Sequence, residues 1–566
     1  MTTLSGKETF KWLSVGAGYL GVFLILVFWC DAYGEGRLRG NLISVLPYFL
    51  TANFLLIVIG LALNIKAIKG LFAGIGRRSV RLLLIIGLIG LVLTALIAPK
   101  VHRIYYDENI YLNIGQDLGF LMKAGMCNEG SNIDGQYLCS QLEFNKQPYA
   151  YPYLMGLVFR LFGTSETCGF IFNNLAFCLS IITIFLIGRL LFESVPAGLY
   201  ASLLFALIPE NSLWGNTTAV EPSAALFAGL LFLSALLYLK DKSRAALFLL
   251  AVILPFSLQF RMESSLLVPL VLMLIFLQDR SLMKGRIFRL FGILSFALLL
   301  GHLAHIYSVR YDNWGSNGTR MDFSFFMHNL RTNSLFYLNN VRFPMLFTLL
   351  AFIGLAFRKD LNKQRLFLGT WFLVLWGVFL LFYAGSYGYG QDVRYSLMSF
   401  MPLALLGGLG LLRLECLFSR EDNMRRFRFV TVTVVILCFL PFLRYVGTVG
   451  EEARQAREDH YYARIMADSL PDNSIVLTHN PNMFLLWGKD AAQASMATSY
   501  ETKMKSYFEK YKGGVYFHFN FWCNTADPNQ QKFCTNILQK YRHKGVMTWK
   551  GKDYTYTLYK LLPSGS

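Results

Sequence analysis

The sequence predicts a polytopic α-helical membrane protein with a small α/β domain outside the membrane. The chain has 566 residues, of which 55% are hydrophobic, 16% aromatic and only 15% charged. A soluble domain typically carries about 25% charged residues, so this composition excludes a soluble enzyme and a disordered chain. We attribute the net charge of +19 to basic loops on the cytosolic side of the membrane. We therefore expect membrane lipid as a partner, and no nucleic acid.

About thirteen apolar segments are candidate membrane-spanning helices, because helices of about 20 apolar residues satisfy their backbone groups in lipid. Lys and Arg cluster after the second, sixth, eighth, tenth and twelfth segments. With a cytosolic N-terminus, all five clusters face the cytosol, which supports this count. The segments are centred on 12–30, 43–63, 82–98, 168–190, 195–209, 222–239, 245–260, 264–278, 287–306, 341–357, 366–385, 395–412 and 429–446.

The same topology places residues 99–167 (the first outer loop), 307–340 and 447–566 outside the membrane. Composition becomes polar after residue 446. Helical stretches at 451–469 and near 529–541, with strand-like runs between and after them, predict a small α/β domain.

Four cysteines lie in these outer segments as two pairs that are close in sequence, Cys127/Cys139 and Cys523/Cys534. An oxidising exterior predicts two local disulfides, and four free thiols are the alternative.

The first outer loop offers the clearest candidates for chemistry. Asp107 and Glu108 begin a predicted amphipathic interfacial helix, where carboxylates either cap the helix dipole or act in catalysis. The loop closes with a second apolar stretch at 146–163, K-Q-P-Y-A-Y-P-Y-L-M-G-L-V-F-R-L-F-G. We expect an interfacial or re-entrant helix there, because a span would move every later basic cluster to the outside.

Other charged residues fall at the outer ends of predicted spans. Glu221 precedes Pro222 and either caps the sixth span or has a function at membrane depth. Arg261 and Glu263 either pair with each other or serve a site. Arg394 precedes Tyr395, and an arginine there either binds phosphate in a bidentate manner or extends to lipid headgroups.

Acids and arginines on one face suit group transfer from a phosphorylated lipid. The Asp107-Glu108 pair, the 146–163 stretch, A-V-E-P and R-Y-S-L-M-S-F-M-P-L together resemble the GT-C superfamily of integral-membrane glycosyltransferases. The most similar branch is the protein O-mannosyltransferase / aminoarabinose transferase-like group. The resemblance covers about residues 82–446, which leaves two additional N-terminal helices in 1–81.

The resemblance implies a GT-C fold and a sugar donor on polyprenyl phosphate. The acceptor is a hydroxyl of a lipid, glycan or protein on the outer face. It implies that Asp107 is the catalytic base, accompanied by Glu108, that Glu221 is the second-loop acid, and that Arg394 lies near the donor phosphate. We expect a multi-pass protein of a bacterial inner membrane with its site and C-terminal domain facing the periplasm or exterior.

Several assignments stay open. Gln147 stands where the family has a lysine, with Lys146 displaced by one, which leaves a direct lysine–phosphate contact open. Lys146 and Arg261 are the further phosphate-binding candidates, and Tyr395, Gln147 and Glu263 are additional site candidates. We expect no cofactor and no metal, with a divalent ion between Asp107 and Glu221 as the alternative.

A transporter or flippase of lipid-linked sugars is the second functional class. Such a protein is expected to carry polar residues and broken helices near the bilayer midplane. In this sequence the ionisable residues lie at the outer ends of the predicted spans, which favours an enzyme.

Overall fold

The computed structural model describes residues 6–104, 106–133, 135–312, 319–356, 361–388, 390–417, 421–524 and 527–563. Most of the described chain is helical. Its first nineteen α-helices are α1 Gly6–Tyr33, α2 Glu35–Leu63, α3 Ile65–Gly70, α4 Arg77–Val92, α5 Asp107–Gln116, α6 Ala150–Phe162, α7 Glu166–Phe192, α8 Val195–Ala206, α9 Pro209–Gly215, α10 Glu221–Asp241, α11 Arg244–Leu258, α12 Leu267–Asp279, α13 Arg286–Ser308, α14 Phe326–Phe336, α15 Met345–Ala356, α16 Asn362–Val378, α17 Leu397–Leu417, α18 Glu421–Leu437 and α19 Leu440–Glu452.

The prediction of a polytopic α-helical membrane protein is confirmed, and each predicted span overlaps at least one helix. Within the described residues, eight helical stretches are long and apolar enough to cross a membrane, and five apolar helices are shorter. The number of thirteen spans stays a prediction. The eight stretches are Glu35–Leu63, Arg77–Ile97, Glu166–Phe192, Glu221–Asp241, Met262–Asp279, Arg286–Ser308, Asp392–Leu417 and Arg425–Glu452.

Several basic loops meet at one end of the helices, which we call the basic end. Arg189, near the end of α7, donates hydrogen bonds to the backbone carbonyls of Leu71 and Ala73 in the loop after α3. Lys242, just after α10, lies 2.7 Å from Asp279 at the end of α12. Arg189, Lys242 and Asp279 also line one common cavity. The loops after α3, α7, α10 and α12 therefore share one side, as the charge pattern predicts.

The two helices of the first outer loop pack closely at the opposite end. A Cβ atom added at Gly119, just after α5, would lie 2.9 Å from the carbonyl oxygen of Gly156 in α6. The absence of side chains at these two glycines lets the backbones of the two segments approach each other. Gly156, the glycine of the Y-L-M-G sequence, thus has a packing role.

A seven-stranded mixed sheet forms the polar part of the protein. Its order is β2-β1-β4-β3-β5-β7-β6, in which β3 runs parallel to β4 and β5 and the other neighbours are antiparallel. The strands and the remaining helices are β1 Met126–Ile133, β2 Gln136–Glu143, α20 Arg454–Ser469, β3 Ser474–Thr478, α21 Pro481–Leu486, β4 Asp490–Gln493, α22 Met496–Ser499, α23 Glu501–Lys510, β5 Gly514–Phe519, α24 Phe521–Asn524, α25 Pro528–Lys540, β6 Arg542–Lys550 and β7 Thr555–Leu562.

The sheet is not built from C-terminal residues alone. The β1–β2 hairpin belongs to the first outer loop, and β1 pairs with β4 through Glu129–Ala492 and Gly130–Ala491. The boundary at residue 447 stays a prediction, but the predicted domain lacks this hairpin. Sequence pattern is local, and β1 pairs with a strand more than 300 residues away.

Two disulfides join the cysteine pairs that the sequence analysis selected. Cys127–Cys139 links β1 to β2, and Cys523–Cys534 links α24 to α25. The first disulfide lies in the hairpin that pairs with β4. The second lies next to Trp522, which stacks on Tyr106 of the first outer loop.

Buried asparagines connect the C-terminal part of the sheet domain to the first outer loop. Asn482 in α21 donates hydrogen bonds to Asn113 Oδ1 at 2.8 Å and to the Cys127 carbonyl at 2.9 Å. Asn480 donates to Asn109 Oδ1 at 3.2 Å. These contacts fix α21 against α5.

We expect Asn482→Ala to lower the midpoint of thermal unfolding in detergent, because buried acceptors lose their donor at a cost of about 1–3 kcal/mol. Asn536→Ala, at an exposed position of α25, is the control and should melt like wild type. Equal melting of both variants would show that Asn482 does not hold this contact.

Candidate active site

A cavity of about 500 Å³ lies among the helix ends opposite the basic end. Four cationic residues and two carboxylates line it. The predicted candidates Asp107, Lys146, Gln147, Arg261, Glu263, Arg394 and Tyr395 all contribute to its wall, with Arg320 as a further charged residue. The structure therefore brings together residues from the first outer loop, the α11–α12 connection and the segment just before α17.

Asp107 is the first residue of α5, and its carboxylate is more exposed than those of Glu263 and Glu221. Its side chain is 30% exposed, whereas that of Glu221 is 2% exposed. Tyr106, directly before it, has a positive φ of 71°, and a non-glycine residue adopts this conformation only when its surroundings hold it there. The Tyr106 ring stacks on Trp522 of α24 with a centroid distance of 5.6 Å, so the sheet domain supports the backbone of the Asp107 segment.

Glu221 lies behind the cavity and holds two arginines. Arg261 contacts its carboxylate directly, and Arg394 Nε lies 3.5 Å from Glu221 Oε1. Both guanidinium groups face the ring of Tyr395 at 5.0 Å. Arg261 also contacts Glu263, so the pairing that the sequence left open is present but is part of a larger network.

Arg394 keeps unused hydrogen-bond donors. Its Nη1 lies 3.6 Å from Asp107 Oδ2. Its Nε and Nη1 are buried and have no hydrogen-bond acceptor among the described residues. A buried donor without an acceptor costs about 1–3 kcal/mol, and an anionic oxygen in the cavity would supply the acceptor.

Lys146 adds a further cation to the cavity wall. Burial lowers the pKa of Lys146, and the nearby Asp107 carboxylate acts in the opposite direction. Lys146 precedes by one position the place where the family has its lysine. It nevertheless lies in the cavity wall together with its neighbour Gln147.

Arg320 and Tyr383 also line the cavity, and sequence reasoning did not identify them. Arg320 lies between α13 and α14, and Tyr383 lies between α16 and α17. An isolated antiparallel β-bridge between Met321 and Phe382 joins the two segments. The backbone N–H of Tyr383 donates to the Arg320 carbonyl at 3.0 Å. No motif marks either residue, and the only signal was the placement of 307–340 outside the membrane.

One wall of the cavity is apolar and suits a hydrocarbon chain. It consists of aliphatic, thioether and aromatic side chains from the start of α12, the end of α16 and the segment around residue 321. These residues are Met262, Leu266, Met321, Val378, Phe379 and Phe382.

Glu108 does not line the cavity. Its carboxylate accepts hydrogen bonds from the backbone N–H groups of Arg103 at 2.6 Å and Ile104 at 2.9 Å. Thr218 donates through its N–H at 2.8 Å and its hydroxyl at 2.9 Å, and His102 Nδ1 lies at 3.1 Å. Burial alone would raise the pKa of Glu108, but hydrogen bonds from His102, Ile104 and Thr218 lower it below its ordinary value. This geometry suits positioning of the first outer loop, and a direct catalytic role for Glu108 stays a prediction.

Comparison with known proteins agrees with this architecture. Residues 146–305 match the family described as dolichyl-phosphate-mannose-protein mannosyltransferase. No protein with a curated description matches the chain in sequence.

Solved structures extend the likeness over most of the chain. The oligosaccharyltransferase of Archaeoglobus fulgidus, tethered to an acceptor peptide, has a TM-score of 0.53 at 12% identity over 87% of this chain and 74% of that chain. ArnT from Cupriavidus metallidurans, bound to undecaprenyl phosphate, has a TM-score of 0.51 at 14% identity over 85% of this chain and 97% of that chain. AglB from A. fulgidus, in complex with an inhibitory peptide and a dolichol-phosphate, has a TM-score of 0.51 at 12% identity over 85% of this chain and 74% of that chain.

At these identities the likeness shows the fold. The chain is a multi-pass membrane protein with the GT-C fold, and the resemblance to that superfamily is confirmed.

We expect Trp522→Ala to lower kcat for the sugar transfer that the family resemblance implies by about 2- to 10-fold, since an aromatic pair contributes about 0.5–1.5 kcal/mol. KM for the donor should change little, because Trp522 supports Asp107 and not Lys146, Arg261 or Arg394, the candidates for phosphate binding. Trp522→Phe should restore most of the rate.

Trp549→Ala is the matched control, since Trp549 stacks on Tyr462 in the same sheet domain and is 39% exposed. Equal rates for the Trp522→Ala variant and wild type would exclude a supporting role for the stack.

Proposed function

We propose that the protein is a membrane glycosyltransferase that moves a sugar from a polyprenyl-phosphate donor to an acceptor hydroxyl of a lipid, glycan or protein. The observation that carries this proposal is the pairing of an accessible carboxylate with unused guanidinium donors. Asp107 and Arg394 lie 3.6 Å apart in a cavity that also has an apolar wall. The known structures with undecaprenyl phosphate and dolichol-phosphate support a lipid-phosphate ligand.

The proposed reaction is a single displacement at the anomeric carbon. Asp107 accepts the proton of the acceptor hydroxyl as that oxygen forms a bond to the anomeric carbon. The bond between the anomeric carbon and the phosphate oxygen breaks, and its electron pair leaves with the polyprenyl phosphate. Arg394 donates its free N–H groups to the departing phosphate oxygens and stabilises their charge.

The charges of the cavity suit this leaving group without a metal ion. Lys146, Arg261, Arg320 and Arg394 outnumber the lining carboxylates Asp107 and Glu263. Glu221 and Glu263 share Arg261 as an ion-pair partner, and Arg394 Nε lies 3.5 Å from Glu221 Oε1. With Glu221 counted, four cations still face only three carboxylates in and behind the cavity. We therefore propose that phosphate is bound by side-chain cations and that transfer uses no divalent metal in this cavity.

The proposed orientation follows from the basic end. We assign the basic end to the cytosol and the cavity and sheet domain to the outer face. In a bacterial inner membrane this face is the periplasm. The charged residues of the cavity all come from the outer ends of helices and from outer connections, which favours an enzyme over a flippase whose polar groups are expected along a path through the membrane.

We expect Asp107→Asn to reduce transfer by about 10²-fold or more, because the amide cannot accept the proton. The measurement is steady-state transfer in detergent from a short-chain polyprenyl-phosphate sugar, where no sealed membrane exists and a flippase yields no product. Asp472→Asn, at an exposed position of the sheet domain, is the control. Near-wild-type turnover by Asp107→Asn would remove Asp107 from the mechanism.

We expect Arg394→Lys to lower kcat/KM by about 10- to 100-fold, since a hydrogen bond to a charged group contributes about 1.5–3 kcal/mol and lysine lacks the planar fork. Arg394→Ala should lose more. Arg331→Lys, at an exposed position of α14, should be silent.

Full kcat/KM in Arg394→Lys would exclude the bidentate contact. A neutral Arg394→Ala would place phosphate binding at Lys146, Arg261 or Arg320.

A further inference from the structure

A second group of potential ligands lies outside the cavity lined by Asp107 and Arg394, which we call the donor cavity. It consists of His102 before α5, Glu166 at the start of α7 and His460 in α20, which we call the His–Glu–His cluster. His460 Nε2 lies 2.9 Å and 3.0 Å from the two carboxylate oxygens of Glu166. His102 Nε2 lies 3.5 Å from Glu166 Oε1. One ligand atom from each residue falls within 4.8 Å of the other two.

The orientation of His102 is fixed by residues on its other side. Its Nδ1 lies 3.1 Å from both Glu108 Oε2 and the Thr218 hydroxyl. Only 6% of His102 is exposed, and its Nε2 has no hydrogen-bond partner in the described part of the chain. That nitrogen points at the carboxylate of Glu166. A histidine that binds a metal commonly donates its other N–H to a carboxylate in this way, which fixes its tautomer and its orientation.

The chemistry of the ligand set favours zinc. Two imidazole nitrogens and one carboxylate oxygen, with a fourth position open, form a known zinc arrangement. Magnesium and calcium prefer oxygen ligands throughout. Zinc–ligand distances of about 2.0–2.2 Å require only small side-chain movements from the observed separations. A cavity of about 500 Å³ borders all three residues and leaves room for a water molecule at the open position.

We propose that His102, Glu166 and His460 bind a divalent transition-metal ion, zinc by its ligand preference, at the contact between α20 and the first outer loop. The ion takes the Nε2 lone pairs of both histidines and an oxygen of Glu166, and any protons on these atoms pass to solvent. It thereby links three distant parts of the chain next to Glu108. This site is separate from the donor cavity and does not depend on the proposed transfer.

Metal content of the purified full-length protein tests the site directly. After removal of weakly bound ions and addition of equimolar zinc, wild type should retain about one zinc ion per chain. Glu166→Gln and His460→Gln should lose most of it, as measured by elemental mass spectrometry. His543→Gln, at an exposed position of β6, is the matched control and should retain it.

A second measurement uses wild type alone, so that the test does not depend on the folding of a variant. Zinc added to chelator-treated protein should raise its melting temperature, since an ion that binds only the folded state stabilises it. Magnesium at the same concentration should not.

Three outcomes would overturn the site. These are wild type without stoichiometric zinc, equal zinc in all variants, and no zinc-dependent shift in melting. Each would indicate that hydrogen bonds alone hold the cluster together. None depends on transfer, so failure here leaves the proposed enzyme intact.

Discussion

The geometry of the candidate active site depends on the hydrogen bonds that the buried carboxylate of Glu108 accepts. It is fully buried, and an ion in that position is strongly disfavoured unless several donors replace water. Two backbone N–H groups of the first outer loop, both donors of Thr218 and the His102 ring perform this function. One side chain thus fixes the segment before Asp107 against the loop that leads to Glu221. Loss of a single donor would leave a poorly solvated charge, so the two loops are held in one arrangement.

The donor cavity combines cations that would otherwise repel one another. Arg261 and Arg394 lie on the same Tyr395 ring, and Glu221 contacts both. The shared carboxylate reduces their repulsion without satisfying all of their donors, because Nε and Nη1 of Arg394 have no hydrogen-bond acceptor among the described residues. In the proposed reaction, a lipid phosphate would therefore meet preorganised charge. Such an arrangement stabilises a leaving group better than a mobile lysine or arginine would, because little reorganisation accompanies the reaction.

The sequence predicts those features that depend on local pattern. Apolar segments predicted the helices, and the basic loops predicted their common side. The order and side of the charged residues predicted that Asp107, Arg261 and Arg394 lie at one site. The family resemblance implied that Asp107 is the base, but the sequence did not show that Glu108 turns away from the cavity. Successive helical residues differ in direction by about 100°, so the two carboxylates face different surroundings. The β1–β2 hairpin and Arg320 were missed because both are defined by contacts between segments far apart in the chain. The His–Glu–His cluster was missed for the same reason, since its spacing matches no short metal motif.

The sheet domain takes part in the architecture of the catalytic region. Tyr106 holds a backbone conformation that costs about 1–3 kcal/mol and persists only where the surroundings impose it. Glu108 fixes the chain on one side of it, and the stack on Trp522 fixes the ring on the other. The Trp522 side chain lies in a short helix that a disulfide ties to α25, and the sheet itself includes a hairpin of the same outer loop. An interfacial helix packed on lipid alone has no comparable lateral constraint. The position of the Asp107 carboxylate is therefore set from both sides, by the membrane helices through Glu108 and by the sheet domain through Trp522.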